Sequence, residues 1–463
     1  MQGEYRGDFT RDTFQRAHHF SRVLMQQGRV QLDADWNEQT SILLHYLRTA
    51  TADIIGQHGG ASPNSFAVTT DTATPEDFRI GAGRYYVDGL LCEIYQRIDD
   101  AGAPVPLTYF TQPNYALDME TNAVPDTDVL VYLDVWERHV TSAHHELIRE
   151  VALGGPDTAT RAQIVWQIRV ENQLPPGVTA PTAKLSDADW NQWTARWRPA
   201  IRGRLKAQVQ KQPVSTDACV ISPESRYRGT ENQLYRVEIH NGRGEPAADG
   251  TPAPAPTFKW SRENSSVFFP IQKLGVSAGQ TTVTLAHLGR DSSLSLQVND
   301  WVELIDDNSG SSAPIEPLLK VAAVDPTTMV VTLAGSTPLV VDQPPKTHPM
   351  LRRWEGTGPI AESAGSLASD WLTLEDGIQI QFQPPAAAAD ITPYRNGDYW
   401  LIPARVATGK IEWPQLPNNQ GPSAQPPHGV EHHYAPLAFL PSGPTTTPAA
   451  IIDLRRTFAP IAT

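Results

Sequence analysis

Hydrophobic positions recur with a helical period near the start of the chain, and from residue 78 onward the period changes to two. Over 32–55 the stripe Trp36, Leu43, Leu47, Ala50 and Ile54 follows a heptad, with Thr40 its one polar member. That spacing predicts a helix about 36 Å long. Asp33 stands where it can cap the first turn, Asp35 adds a carboxylate that the helix dipole favours, and Gly56 is a natural stop. Such a helix packs on its own domain or pairs with copies of itself. The run is shorter than the three or four heptads that establish a coiled coil, so both readings stay open. Ahead of it, residues 1–31 are polar and irregular, punctuated by Tyr5, Phe9, Phe14 and Phe20.

Alternation over 78–86 and 89–95, around Val87-Asp88-Gly89, predicts a hairpin. Residues 129–140 fit a central strand, and 163–170 alternate cleanly, which together outline a first β region over 61–180. A second helix is expected over 186–198, with Ser186 and Asp189 spaced as a capping box and Pro199 as its end. It sits in a linking stretch, 181–212, and puts Trp190, Trp193 and Trp197 on one face. An aromatic face of this kind packs in a core or faces a ligand such as a sugar. The pentapeptide Asp-Ala-Asp-Trp-Asn occurs at 33–37 and again at 187–191, as two helix starts would produce.

Further strands are expected at 234–240, 258–271, 371–374, 378–382 and 398–403, with Asp376-Gly377 marking another hairpin. These define a second β region, 213–275 with 346–415. Between its halves, short strands at 281–285, 300–305, 318–324 and 329–333 form a compact block, 276–345, read as an inserted small barrel. Residues 416–463 read as a Pro-rich C-terminal arm whose last folding segments are 434–440 and 451–458. The predicted fold is mainly β with an N-terminal α-helical segment, in several antiparallel β-sheet and small-barrel domains joined by Pro/Gly-rich loops. Residues 1–60 form the arm and helix that serve attachment or oligomerisation.

Composition sharpens this picture. The 40 prolines among 463 residues exceed a typical usage of about 5% and suit short strands with many turns rather than long helical bundles. A net charge of −14 repels phosphate backbones, so nucleic acid is not an expected partner. No apolar run approaches the ~20 residues that span a bilayer, and no signal-peptide core opens the chain, so synthesis in the cytoplasm is expected. Cys92 and Cys219 both lie in apolar, strand-like stretches and read as buried free thiols.

Catalytic patterns are scarce. Gly81-Ala82-Gly83 lacks the third glycine of a dinucleotide loop and leads into a hairpin. His428-Gly429-Val430-Glu431-His432 matches a zinc-protease string. That chemistry needs a helix presenting both histidines, and the surrounding Pro426, Pro427, Gly429 and Pro436 argue for a polar turn. Asp306-Asp307-Asn308-Ser309-Gly310 could cup calcium but lacks the later glutamate of a helical calcium hand, so an acidic turn is expected. His18-His19 and His144-His145 are isolated pairs. No catalytic residue, metal or cofactor is therefore assigned, and the chain reads as a non-enzyme.

One stretch carries a more specific signal: Gly7-Asp8-Phe9-Thr10-Arg11, then the run His19 to Gln39 containing Gly28-Arg29-Val30-Gln31-Leu32-Asp33-Ala34-Asp35-Trp36-Asn37-Glu38. It resembles an uncharacterised bacterial family encoded with phage-tail-like contractile injection systems and, more loosely, phage tail and baseplate-periphery proteins. The likeness continues through residues 132–138, 153–158, 258–264, 299–304 and 397–405. It implies a structural subunit of such a particle, attached at the baseplate or fibre periphery by its N-terminal segment, with the other subunits as partners. A homo-oligomer, a trimer by analogy with tail fibres, is implied as well. On that reading Arg22, Gly28, Arg29, Asp33, Asp35, Trp36, Leu43 and Leu47 face a partner, with opposite charges fixing register. An intramolecular knot of the same residues is the competing reading. Two further functions remain open: an adhesin that reads a cell-surface glycan through Trp190, Trp193 and Trp197 or through Trp301, and a polysaccharide or cell-wall hydrolase, which would need an acidic pair in a cleft.

Overall fold

The computed structural model describes all residues except 1–2, 71–75, 115–116, 118, 199–202, 211–225, 243–254, 278, 290, 310–315, 344, 346, 361–370, 384–393 and 460–463. The protein is mainly β, built of antiparallel sheets and one closed six-stranded barrel, with an N-terminal helix and a second, short one.

The strand Val129–Val140 organises the first region. Val129, Val131, Leu133 and Val135 point into one core with Tyr85, Val87, Leu90 and Cys92. Leu130 and Tyr132, on the reverse face, pack against Trp190 and Trp193 of the helix Asp187–Thr194. Because both faces are covered, successive positions are apolar. Arg161–Glu171 pairs along one side of this strand, and His433–Leu440 along the other. The expected C-terminal arm is thus a sheet strand: Val129 sits opposite Leu440, and Val135 opposite His433. Ile452–Asp453 adds the outer edge.

Two sheets sharing one core make the second region. Gly356–Pro359, Thr257–Ser261, Gln233–Asn241, Tyr399–Arg405 and Lys410–Ile411 form the larger. Arg204–Val209, Ile378–Gln383 and Leu372–Thr373 form the smaller. Tyr235, Val237, Ile239, Trp400 and Ile402 meet Leu205, Ala207, Ile380 and Phe382 between them. The chain leaves the larger sheet after Ser261, builds the barrel, and re-enters at Gly356. The barrel's strands run from Phe268 to Trp354, wider than 276–345, because Phe268–Ser277 and Met350–Trp354 close it. Its interior holds Phe269, Ile271, Val283, Val302, Leu304, Val321, Val331 and Leu333.

The N-terminal helix spans Asp33–Ile55. Its cap is Leu32, whose side chain offers no acceptor, so Asp33 does not cap it but is the first helical residue. Asp35 instead accepts from the Leu32 amide at 3.4 Å. The helix lies across the hairpin turn at Asp88-Gly89, where both residues have positive φ (46° and 82°). A Cβ at Gly89 would stand 2.2 Å from the Arg48 carbonyl oxygen, so only glycine admits the helix this close. Ser186 and Asp189 form the capping box their spacing suggested. Cys92 is a buried free thiol, while Cys219 lies outside the described residues.

Candidate functional site

The strand Gln233–Asn241 sends Tyr235, Val237 and Ile239 into the sandwich and turns Arg236 and Glu238 to its other face. That face is not solvated: Arg236 and Glu238 are fully buried. The N-terminal residues run over it. Tyr399 Oη donates to the Gly3 carbonyl at 2.7 Å, and Arg236 Nη1 to that of Tyr5 at 3.2 Å. Asn264 Nδ2 donates to the carbonyls of Tyr5 (3.2 Å) and Gly7 (2.9 Å). Arg6 Nη2 donates to both oxygens of Glu238, at 2.9 and 3.0 Å, and Arg6 Nη1 pairs with Glu4. Lys259 Nζ lies 3.2 Å from Glu238 and 2.5 Å from Glu303 of the barrel. Tyr5 Oη donates to Glu137 at 3.0 Å, and Arg48 of the helix grips the same carboxylate with two bonds, 3.0 and 2.7 Å. One short arm therefore ties the four-stranded sheet, the sandwich, the barrel and the helix.

Burial raises the pKa of Glu238, but Arg6, Lys259 and Arg236 more than reverse that and hold the carboxyl well below the usual range. Glu303 is pushed up by burial too, and Lys259 brings it back below its ordinary value. Arg352 is pulled down to about 10 by burial, with the neighbouring Arg6 adding to the effect. His139, which lies edge-on to Tyr5 and Phe9, is driven down to about 3, chiefly by burial. The cluster is a structural lock of paired charges.

Beyond residue 14 the N-terminal segment turns outward. Phe20, Leu24, Met25, Val30 and Leu32 are exposed. On the helix, Ala34 and Ile42 are buried, and the same side is held by Thr13 to Glu38 (2.7 Å), Gln39 to the Val23 amide (2.8 Å) and Arg48 to Glu137. At about 100° per residue, Trp36, Leu43, Leu47 and Ile54 fall roughly opposite that side. They are 76%, 58%, 64% and 76% exposed. Leu44 and Tyr46 widen the stripe and are exposed as well. Surface helices normally turn their larger apolar residues inward; this one presents them to solvent.

The expected partner-facing residues thus divide. Arg22, Gly28, Arg29, Trp36, Leu43 and Leu47 are exposed. Asp33 is engaged within the chain, accepting from the Thr10 amide at 2.8 Å and from the Thr10 hydroxyl, and Asp35 is half-buried at the helix start. Of the aromatics considered for a ligand, Trp190 and Trp193 are buried, and Trp190 Nε1 donates to the Tyr434 carbonyl at 3.0 Å. Trp197 is half-buried and stacks on Tyr132 with ring centroids 4.3 Å apart. This face is core, because the strand Val129–Val140 supplies an apolar reverse side for it to cover.

The remaining motifs hold structure. His428 to His432 is extended, His428 bridging to Tyr399, and His432 Nδ1 lies 2.7 Å from Asp134 with its ring on Trp136. Asp306 Oδ1 accepts the amides of Asn308 (2.9 Å) and Ser309 (3.1 Å), a turn closed on itself. Asp307 pairs with Arg138 and with His348, joining barrel to first region. Among the described residues no group of three or more His, Cys, Asp or Glu is placed to hold a metal ion, and no helix is long and apolar enough to cross a membrane. A groove of about 520 Å³ runs beside Arg79, Glu93, Tyr95, Arg97, Leu107 and Thr111. Sequence reasoning missed the ionic lock: Arg236 and Glu238 alternate with apolar residues as a solvent-facing side would, and no local signal tells that the N-terminal arm covers them.

Residues 5–185 and 193–442 match a family of unknown function, DUF6519, and the chain belongs to that family. No curated protein matches the chain, and no solved structure does.

Proposed function

We propose that this protein is a structural subunit of a phage-tail-like contractile injection particle, made in the bacterial cytoplasm and attached at the baseplate or fibre periphery through its N-terminal segment. The observation that carries the reading is the exposed apolar surface of that segment, from Phe20 through Ile54. Contiguous exposed apolar patches of this kind mark interaction sites on soluble proteins. The first part of that surface, within residues 19–39, also carries the resemblance to proteins encoded with such particles. The inner ties of residues 3–14 support the reading too, since they fix the outer surface rigidly to a large β body. The glycan-reading alternative loses Trp190 and Trp193, which are core. The buried carboxylates Glu238 and Glu137 are each paired with an arginine, which suits structure rather than the acid–base work of a hydrolase.

Deleting residues 1–56 would unlock the ionic cluster, so the test uses exposed positions. Met25→Asp with Val30→Asp should leave the purified protein folded and remove it from particles isolated from the producing cells. Unchanged incorporation, or absence of the wild-type protein from particles, would overturn the proposal.

A further inference from the structure

We infer that the outer face of the Asp33–Ile55 helix is a homotypic seam that takes the same face of a second copy of this chain. The inference rests on the reading of the N-terminal segment as an assembly surface and names the occupant of its helical part. Outward positions 36, 40, 43, 47, 50 and 54 are separated by alternate steps of four and three residues. That is the spacing that keeps a seam in register with another helix over successive turns; a loop or sheet edge would impose no such repeat.

Charge argues for the same occupant. The seam is Trp36, Thr40, Leu43, Leu47, Ala50 and Ile54, and its flanks are Asn37, Gln39, Leu44, Tyr46, Thr51 and Asp53. Only Asp53 is charged, so neither a basic nor an acidic partner finds a complement there. A second copy does, because its seam is equally neutral, and two chains of net charge −14 meet most easily along an uncharged line. A lipid surface is the other occupant an amphipathic helix can serve. Interfacial helices carry Lys and Arg on the polar side. This helix holds Asp33, Asp35, Glu38 and Asp53 against one basic residue, Arg48, which is already paired with Glu137.

The helix is also presented as a seam requires. Asp33 to Thr10 and Thr13 to Glu38 hold the first turns, and Arg48 to Glu137 holds the inner side past the middle. The stripe therefore stands on a fixed backbone, and pairing it needs no rearrangement of the body.

The test is the mass of the purified full chain in solution at micromolar concentration, by sedimentation equilibrium. The wild type should give two or more times 50.8 kDa. Leu43→Glu with Leu47→Glu should return a single chain, with an unchanged circular dichroism spectrum, since both side chains point to solvent. A monomeric wild type, or a variant that keeps the wild-type mass, overturns the seam. Wild-type protein that stays monomeric and floats with phosphatidylglycerol vesicles overturns it in favour of lipid. The particle reading fails separately: oligomers that never enter particles retain the seam and remove the attachment, whereas monomers found in particles do the reverse.

Discussion

Residues 3–14 and the helix face from Trp36 to Ile54 belong to one N-terminal segment and follow opposite rules. The first stretch sets Arg6 between two carboxylates, its own Glu4 and the fully buried Glu238 of the body. The second places tryptophan, leucine and isoleucine where nothing among the described residues covers them. A chain shaped only to be a monomer would reverse both choices, because buried ions cost desolvation and exposed apolar area forgoes burial. The difference separates two jobs. The inner stretch locates the segment on the body, since a bidentate Arg6–Glu238 pair tolerates few geometries. The outer face is left for something outside the chain.

The strongest way to break this contrast is to remove the lock. Arg6→Ala takes one of its cations from the buried Glu238, and breaking such a pair costs about 3–5 kcal/mol. Urea denaturation should show the loss as a lower midpoint with an unchanged slope. An effect below about 0.5 kcal/mol, the range of ordinary surface changes, would mean that the arm is not the tie described. Glu238→Ala should cost at least as much, because it takes the carboxylate from the buried Arg236 and leaves Arg6 to Glu4 and Lys259 to Glu303.

Acidity should act on the inner stretch and spare the outer. His139 packs against Tyr5 and Phe9 and is held down to about 3, mainly by burial. Unfolding frees it to take a proton at its ordinary value near 6.5, so below that pH the unfolded state binds more protons. Stability is then full above about 6.5 and is lost progressively as pH falls toward 3. At pH 5 the single histidine accounts for about 2 kcal/mol. His139→Gln should flatten the pH 5–7 slope of stability by that amount in chemical denaturation. The mass of the assembled protein should hold over the same range, because the seam and its flanks carry no histidine. A slope untouched by the substitution would remove His139 from the acid response.

Parts of this were legible in the sequence, and the reasons are local. The apolar run over 129–140 and the alternation over 163–170 announced strands, though not that they pair with each other, and the heptad at Trp36, Leu43 and Leu47 announced a helix with one apolar side. The Trp190, Trp193 and Trp197 stripe was visible, but its occupant was not, since the covering residues Leu130 and Tyr132 lie far upstream. The strand at His433–Leu440 reads as a short apolar run among prolines; only the pairing with Val129–Val135 makes it a sheet member. The lock was invisible for the same reason in stronger form. Arg236 and Glu238 read as a wet strand face, and the cover comes from Arg6, more than two hundred residues away in sequence. Asp33 shows the limit from the other side: it looked like a cap or a partner contact, and Thr10 takes it within the chain.

The smallest effect is the one that sharpens the contrast most. Trp36→Ser removes a large side chain, yet it is 76% exposed, so the dilute monomer should change in stability by no more than about 0.5 kcal/mol. Raising the concentration should then separate the two proteins. Anything that binds the folded state raises Tm by mass action, so wild-type Tm climbs with protein concentration once copies pair. The Trp36→Ser variant should give a flat line over the same range, and the two curves should converge on dilution. A large loss in the dilute protein would place Trp36 in the monomer's own packing. A wild-type Tm that ignores concentration would leave the outer face without a second copy to cover it. The inner lock gives the complementary signature: Arg6→Ala lowers Tm equally at every concentration, because the pair it breaks lies inside one chain.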